Sequence, residues 1–293
     1  MLVFMVRGDM GEIRRYGNIL VYPAEGRLIF ATDFHGQLTD FRRVVSRFRA
    51  RVERDEDLYL LFAGDFVHGP RADQVSGWLK TDDSPTILEE LEALLAEFPD
   101  RVCSLLGNHE HGHLGGPKTQ KFYRGIDDDV TALEERLGGE RTAEICTLFS
   151  SFALVALTPC GVMFTHAAPG VSETTLADIA AARLDRAERP VMELLWPRVV
   201  SSPDRLDAAF QIMTFGGITP RIAAYGHDVV PTGVDRDSYR QVVISTSFAI
   251  PDRHKLLLEL DLSRQYEDTF DLREGIELVH LYPEKALGRP IPA

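Results

Sequence analysis

Residues 105 to 114 read LLGNHEHGHL and place three of the chain's nine histidines, His109, His111 and His113, within five positions. Near neutral pH imidazole serves both as a proton carrier and as a metal ligand, so this stretch concentrates groups able to do chemistry. Other polar groups stand, as Asn108 and His109 do, directly behind apolar runs: Asp33 and His35 in ATDFH, Asp65 in FAGD, His166 in MFTH and His227 in AYGH. Carboxylate, imidazole and amide oxygen without a thiolate suit borderline to hard divalent ions such as Mn²⁺, Fe²⁺ or Zn²⁺. Two such ions about 3.5–4 Å apart need a carboxylate between them, and the pair activates water and clamps the oxygens of an in-line displacement at phosphorus. Asp65 is the expected bridge.

Hydropathy indicates the elements that must bring these groups together. GNILVYPAEGRLIFATDF reads as two strands around a turn at Pro23 to Gly26, the second, about residues 27 to 32, delivering Asp33. Asp40 is expected to cap a helix whose Phe41, Val44, Val45, Phe48 and Val52 recur at helical spacing. LYLLFAGD is a buried strand ended by Gly64, with Asp65 just past its tip. Ser84 and Pro85 open a second amphipathic helix, and VCSLL is a third strand leading into Gly107. This β-α-β-α-β order implies parallel pairing with helical crossovers. Open α/β sheets place ligand sites at the carboxyl ends of their strands, so groups distant in sequence can converge there.

Residues 111 to 150 lack strand periodicity and are expected to form a cap or lid, with a helix at Val130 to Leu137. From Phe152 strands return: two in FALVALTPCGVMFTHAAP, ending at His166, and one in RIAAYGHD before His227. RQVVISTSFA, HKLLLELDLS and GIELVHLYP close the chain as antiparallel-looking strands. With no internal repeat or low-complexity linker, residues 1–293 read as a single α/β domain.

The chain is 44% hydrophobic and 26% charged, the profile of a globular protein. A net charge of -13, from 45 acidic and 32 basic residues, argues against a surface that tracks nucleic-acid backbones. An anionic substrate then needs local positive charge, which metal ions can supply. Cys103, Cys146 and Cys160 form no C-x-x-C pair and are odd in number, which fits core filling in a reducing compartment. MLVFMVRGDM is broken by Arg7 and Asp9, so it reads as neither a signal peptide nor a membrane span. The expected location is the cytoplasm, without membrane attachment. GGPKT fails the phosphate-loop spacing because Pro117 separates Gly116 from Lys118, and the run Asp127 to Asp129 reads as a helix cap instead of a calcium site.

In order, TDFHGQLTDF, GDFVHG, GNHE, THAAP and YGHDVV, with LLWPR between the last two, resemble the calcineurin-like metallophosphoesterases. Within that superfamily the likeness is to the phosphoprotein phosphatase (serine/threonine phosphatase) branch in its bacterial and phage form, over about residues 27 to 262. The resemblance implies an α/β four-layer fold, a central β-sandwich of mixed sheets flanked by helices, with a two-metal site at the strand ends. It makes Asp33 and His35 ligands of one ion, Asn108, His166 and His227 ligands of the other, and Asp65 the bridge. His109 becomes the general acid that protonates the leaving oxygen. Bacterial and phage members carry Trp-x-Arg where this chain has WPR, which makes Arg198 the expected bidentate phosphate ligand.

The implied reaction is phosphomonoester hydrolysis by in-line attack of a hydroxide bridging two divalent ions, the expected ions being Mn²⁺, Fe or Zn²⁺. Phosphoserine or phosphothreonine in a protein is the first substrate class. A dinucleoside polyphosphate or other nucleotide is the alternative, and an inactive metal-binding scaffold is a second one. Several departures bear on this. Phosphoprotein phosphatases usually read Gly-Asp-x-Val-Asp-Arg-Gly, in which the second aspartate orients the acid histidine and the arginine holds phosphate. Here His68 and Gly69 take those places, and Arg71, two positions further on, is a second candidate ligand of the substrate phosphate. Val229 follows GHD where many relatives outside this branch have a second histidine, and Phe248 aligns with a frequent tyrosine. His111 and His113 have no counterpart in the family motif and are expected to be loop residues near the mouth of the site.

Overall fold

Within RLIFA, Leu28, Ile29, Phe30 and Ala31 are all fully buried, although successive strand residues face opposite ways. A strand buried on both faces has to lie inside a layered stack. The computed structural model, which describes residues 11–54, 56–123 and 128–286, shows that stack. Its strands are β1 (Arg14–Tyr16), β2 (Ile19–Val21), β3 (Arg27–Ala31), β4 (Leu58–Phe62), β5 (Val102–Ser104), β6 (Val155–Leu157), β7 (Val162–Thr165), β8 (Ile222–Tyr225), β9 (Val234–Ser238), β10 (Gln241–Ile244), β11 (Leu256–Asp261) and β12 (Leu278–His280). Its α-helices are α1 (Leu38–Val52), α2 (Ser84–Glu97), α3 (Asn108–Leu114), α4 (Asp129–Leu137), α5 (Gly139–Ser150), α6 (Leu176–Ala181), α7 (Arg189–Leu195) and α8 (Pro203–Ile212).

As the β-α-β-α-β order requires, β3, β4 and β5 pair in parallel, with α1 and α2 as crossovers. Antiparallel β11 and β12 complete a sheet ordered β12-β11-β3-β4-β5. The second sheet is ordered β1-β2-β6-β7-β8-β10-β9. Leu28, Phe30 and Leu61 of the first sheet cluster with Phe164, Ala224 and Ile244 of the second, and the Phe30 and Phe164 rings lie 4.7 Å apart. The opposite face of β3 and β4, with Ile29, Leu60 and Phe62, clusters with Phe41, Val44 and Phe48 of α1. The outcome is a mixed α/β fold of two mixed sheets flanked by helices.

Several local expectations need correction. Gln37, not Asp40, stands at the cap of α1. Asp40 is fully buried in the first turn, where its carboxylate accepts hydrogen bonds from Ser247 Oγ at 2.6 Å, Lys255 Nζ at 2.7 Å and Tyr282 Oη at 2.6 Å. Expected antiparallel pairing of RQVVI holds toward β9, but β10 is parallel to β8. His111 and His113 lie on α3, not in a loop. Strands β1 and β9 escape the hydropathy reading because RRY and VDRDS are polar edge strands. Asp128 caps α4 by accepting from the Thr131 N–H, whereas Asp127 and the opening decapeptide lie outside the described residues. No described helix is long and apolar enough to cross a membrane. All three cysteines are free.

Candidate metal centre

Each expected ligand sits where a strand gives way to a turn. Asp33 and His35 follow β3, Asp65 follows β4, Asn108 opens α3 after β5, His166 follows β7 and His227 follows β8. Asp33, His35, Asp65, His68 and His227 all have positive φ, between 43° and 68°. Asp and His enter that left-handed region more readily than most non-glycine residues, and the strain recurs at functional sites. Here it turns side chains out of the strand direction and toward one another. Gly107 and Gly226 pass so close to this cluster that a Cβ would strike the Asp65 and Asp33 carboxylates respectively.

Asp65 lies between two groups. Its Oδ2 is 3.5 Å from His35 Nε2 and its Oδ1 is 3.6 Å from His166 Nε2. On the second side Asn108 Oδ1 is 3.0 Å from His166 Nε2 and 3.1 Å from His227 Nδ1. The Asp33 carboxylate accepts the His227 backbone N–H at 3.0 and 3.1 Å. Two sets of candidate donor atoms, from His35, Asp65 and His109 and from Asp65, His166 and His227, each lie within 4.8 Å of one another.

Carbonyl oxygens set the imidazole tautomers. His35 Nδ1 faces Val67 O at 3.1 Å and His166 Nδ1 faces Ala63 O at 2.7 Å. Because a carbonyl can only accept, each Nδ1 carries the hydrogen and leaves an Nε2 lone pair directed into the cluster. Burial, and then the charge of Asp65, push the Asp33 carboxyl up to about 8. Burial pushes Asp65 up to about 7 against the pull of Lys121 and of the His109 N–H. Burial likewise holds His35 and His109 well below the usual imidazole range and His166 at about 4. These residues fit divalent cations: neutral imidazoles offer lone pairs, and a cation favours the ionised carboxylates that burial disfavours.

Around the cluster stand Glu110, Lys121 and Thr119, which the sequence did not single out, and Phe248, which it did. Glu110, fully buried, accepts the backbone N–H groups of Asp65 at 2.7 Å, Phe66 at 2.8 Å and Val67 at 3.4 Å. It thereby clamps the turn after β4 to the first turn of α3. Its only sequence signal is its place in GNHE. Lys121 brings its Nζ to 3.0 Å from His35 Nε2 and 4.1 Å from the centre of the Phe248 ring; nothing in its neighbourhood in the chain marks it. Phe248, in the tyrosine's place, packs 4.6 Å from the His35 ring. Thr119 Oγ1 lies 3.3 Å from His109 Nδ1.

The remaining histidines divide. His68 Nδ1 is 2.8 Å from His109 Nδ1, and His68 Nε2 is 2.9 Å from His113 Nε2. His113 Nδ1 is 2.9 Å from Glu134 Oε1 of α4. His111 instead turns its Nε2 to Arg186 O at 3.0 Å. Arg198 pairs with Asp228 and lines, with Lys121 and His227, a cleft of about 490 Å³. Arg71 is bound to Asp73 at 3.0 Å and lies over the Tyr123 ring, so it is not among the side chains that meet at the cluster.

The sequence model of the calcineurin-like phosphoesterases matches residues 26–231, and the chain belongs to that family. With its clustered His and Asp ligands, it is a metal-dependent phosphoesterase. Among solved structures it is similar to a protein serine/threonine phosphatase from Saccharomyces cerevisiae described as resembling human phosphatase PP5. That match has 16% identity, covers 81% of this chain and 73% of the other, and has a TM-score of 0.54. It is also similar to the cold-active protein-tyrosine phosphatase of a psychrophilic Shewanella species, at 14% identity, 88% and 80% coverage and a TM-score of 0.54. At such identities the likeness speaks for the fold alone.

Proposed function

We propose that the protein is a two-metal phosphomonoesterase acting on phosphoserine and phosphothreonine side chains of proteins. The observation that carries this reading is the meeting of Asp33, His35, Asn108, His166 and His227 around Asp65, with His109 alongside. Asp33 and His35 would hold one ion, Asn108, His166 and His227 the other, and Asp65 both. A bound pair of divalent ions, Mn²⁺, Fe or Zn²⁺ by the donor chemistry, supplies a water nucleophile at neutral pH and neutralises phosphoryl charge.

The chain's own residues supply the rest. His109 faces the substrate through Nε2 and, once protonated there, delivers that proton to the departing oxygen. Arg198, once released from Asp228, and Lys121 present positive charge to the phosphoryl oxygens from the same cleft. Lys121 in this way compensates for the arginine that Gly69 replaces. Choice of protein phosphoserine and phosphothreonine draws on the ordered motifs and on a fold shared with a yeast serine/threonine phosphatase.

The test is a panel of phosphoserine, phosphothreonine and phosphotyrosine peptides, mononucleotides and dinucleoside polyphosphates, run with metal-reconstituted protein beside p-nitrophenyl phosphate. Preference for the first two supports the proposal. Preference for phosphotyrosine or for a dinucleoside polyphosphate replaces its substrate class, and no turnover by protein with metal bound leaves a scaffold.

A further inference from the structure

We propose that His68, His113 and Glu134 form a relay that fixes the tautomer and orientation of His109, in place of the single carboxylate expected at position 68. This rests on the reading of His109 as the general acid. Three contacts of 2.8, 2.9 and 2.9 Å link His109 Nδ1, His68 Nδ1, His68 Nε2, His113 Nε2, His113 Nδ1 and Glu134 Oε1. At such distances each contact needs one hydrogen, since two lone pairs repel and two hydrogens collide.

Ionised Glu134 can only accept, so His113 Nδ1 carries a hydrogen and His113 Nε2 is an acceptor. His68 Nε2 then donates to it, which leaves His68 Nδ1 to accept from His109 Nδ1–H. Three hydrogens serve three contacts, and Nε2 of His109 is left to exchange a proton with substrate. Opposite polarity requires a hydrogen on the carboxyl of Glu134, whose side chain is 34% exposed to water. The Thr119 hydroxyl is the nearest competitor for His109 Nδ1, at the longer distance of 3.3 Å. Asp129, near His68 and His109, already accepts from the backbone N–H groups of Lys121, Phe122 and Tyr123.

The geometry of α3 and α4 explains why the device is extended. His109 and His113 are four residues apart on α3, one turn of the helix. His68, turned by its positive φ of 65° and held through its N–H to Ser84 Oγ at 3.0 Å, fits between them. The His113 side chain is fully buried and draws its carboxylate from α4. His68, His113 and Glu134 are thus positioning residues, and the 111–150 stretch serves the reaction through them.

The test has two arms on the full-length protein. In metal-free protein with ¹⁵N-labelled histidine, NMR should place hydrogens on Nδ1 of His109 and Nε2 of His68, both in slow exchange with water. Glu134→Ala, on the helix surface, should blur that assignment while the protein stays folded. In metal-loaded enzyme, His113→Phe should lower kcat about 10²-fold with KM and metal content unchanged. In a His68→Asp background, where a carboxylate meets His109 directly, the same change should cost at least about tenfold less. A neutral His109 with its hydrogen on Nε2 and none on Nδ1 in the NMR experiment, or an equal His113→Phe penalty in both backgrounds, overturns the relay. Should the wild type hydrolyse no phosphoester, the phosphomonoesterase reading fails and NMR alone decides the relay.

Discussion

With one oxygen near His35 and the other near His166, Asp65 is shared by both halves of the cluster. Asp65→Asn keeps the shape but removes the negative charge and one of the two oxygen donors, so it is expected to abolish turnover and lower bound metal, measured by p-nitrophenyl phosphate hydrolysis and elemental analysis. Wild-type turnover in that variant removes Asp65 from its role. His109→Ala preserves the backbone N–H that bonds Asp65 Oδ1 at 3.1 Å. It should therefore lower kcat about 10²–10⁴-fold while metal content holds. The candidate ligands were legible because each stands just past the end of an apolar strand. Lys121 and Glu134 were not, because a long side chain on a polar stretch takes its meaning from what it reaches.

Two buried carboxylates join elements, and each makes a prediction at that level. Glu110 ties α3 to the turn after β4, and burial together with the Asp65 charge raises its carboxyl to about 8. Glu110→Gln loses an acceptor for one of those N–H groups and should weaken metal binding about 10–100-fold, seen by titration of metal into chelator-treated protein. Asp40 ties α1 to Ser247, Lys255 and Tyr282. Asp40→Ala strips the nearly fully buried Lys255 of one of its two carboxylates, Asp252 at 3.0 Å being the other. Its expected cost is about 3 kcal/mol, measured by denaturant unfolding; an unchanged midpoint would show that Asp252 alone suffices. Ser247 adjoins Phe248, which packs against His35, so a loss of metal affinity should accompany the loss of stability.

For the molecule as a whole, the centre sets how stability responds to pH. In the folded, metal-free protein the carboxyls of Asp33, Asp65 and Glu110, raised to about 8, 7 and 8, hold protons that the unfolded chain has released. Stability from these groups falls as pH rises toward 8. The depressed imidazoles act in the opposite sense, but only below the ordinary histidine value of 6.5, where the unfolded chain binds the extra protons. Between pH 6.5 and about 8 the carboxyls prevail, so the Tm of chelator-treated protein should fall across that window. Mn²⁺ should raise Tm most at its alkaline end. A flat or rising profile without metal would show that the carboxylates are compensated within the protein.

Local order in the chain was enough to indicate the candidate donors, the parallel β3-β4-β5 core and the strand ends that carry those donors, because an apolar run closed by a polar residue is a local property. The partners of those donors are another matter. Contacts between His68 and His109, 41 positions apart, and between His68 and His113, 45 apart, depend on how α3 packs beside the turn after β4. Lys121 meets His35 across 86 positions, and Arg198 is engaged by Asp228 across 30. Long-range packing alone determines such distances, so a histidine with no counterpart in the family motif, His113, becomes a neighbour of the proposed acid's own partner.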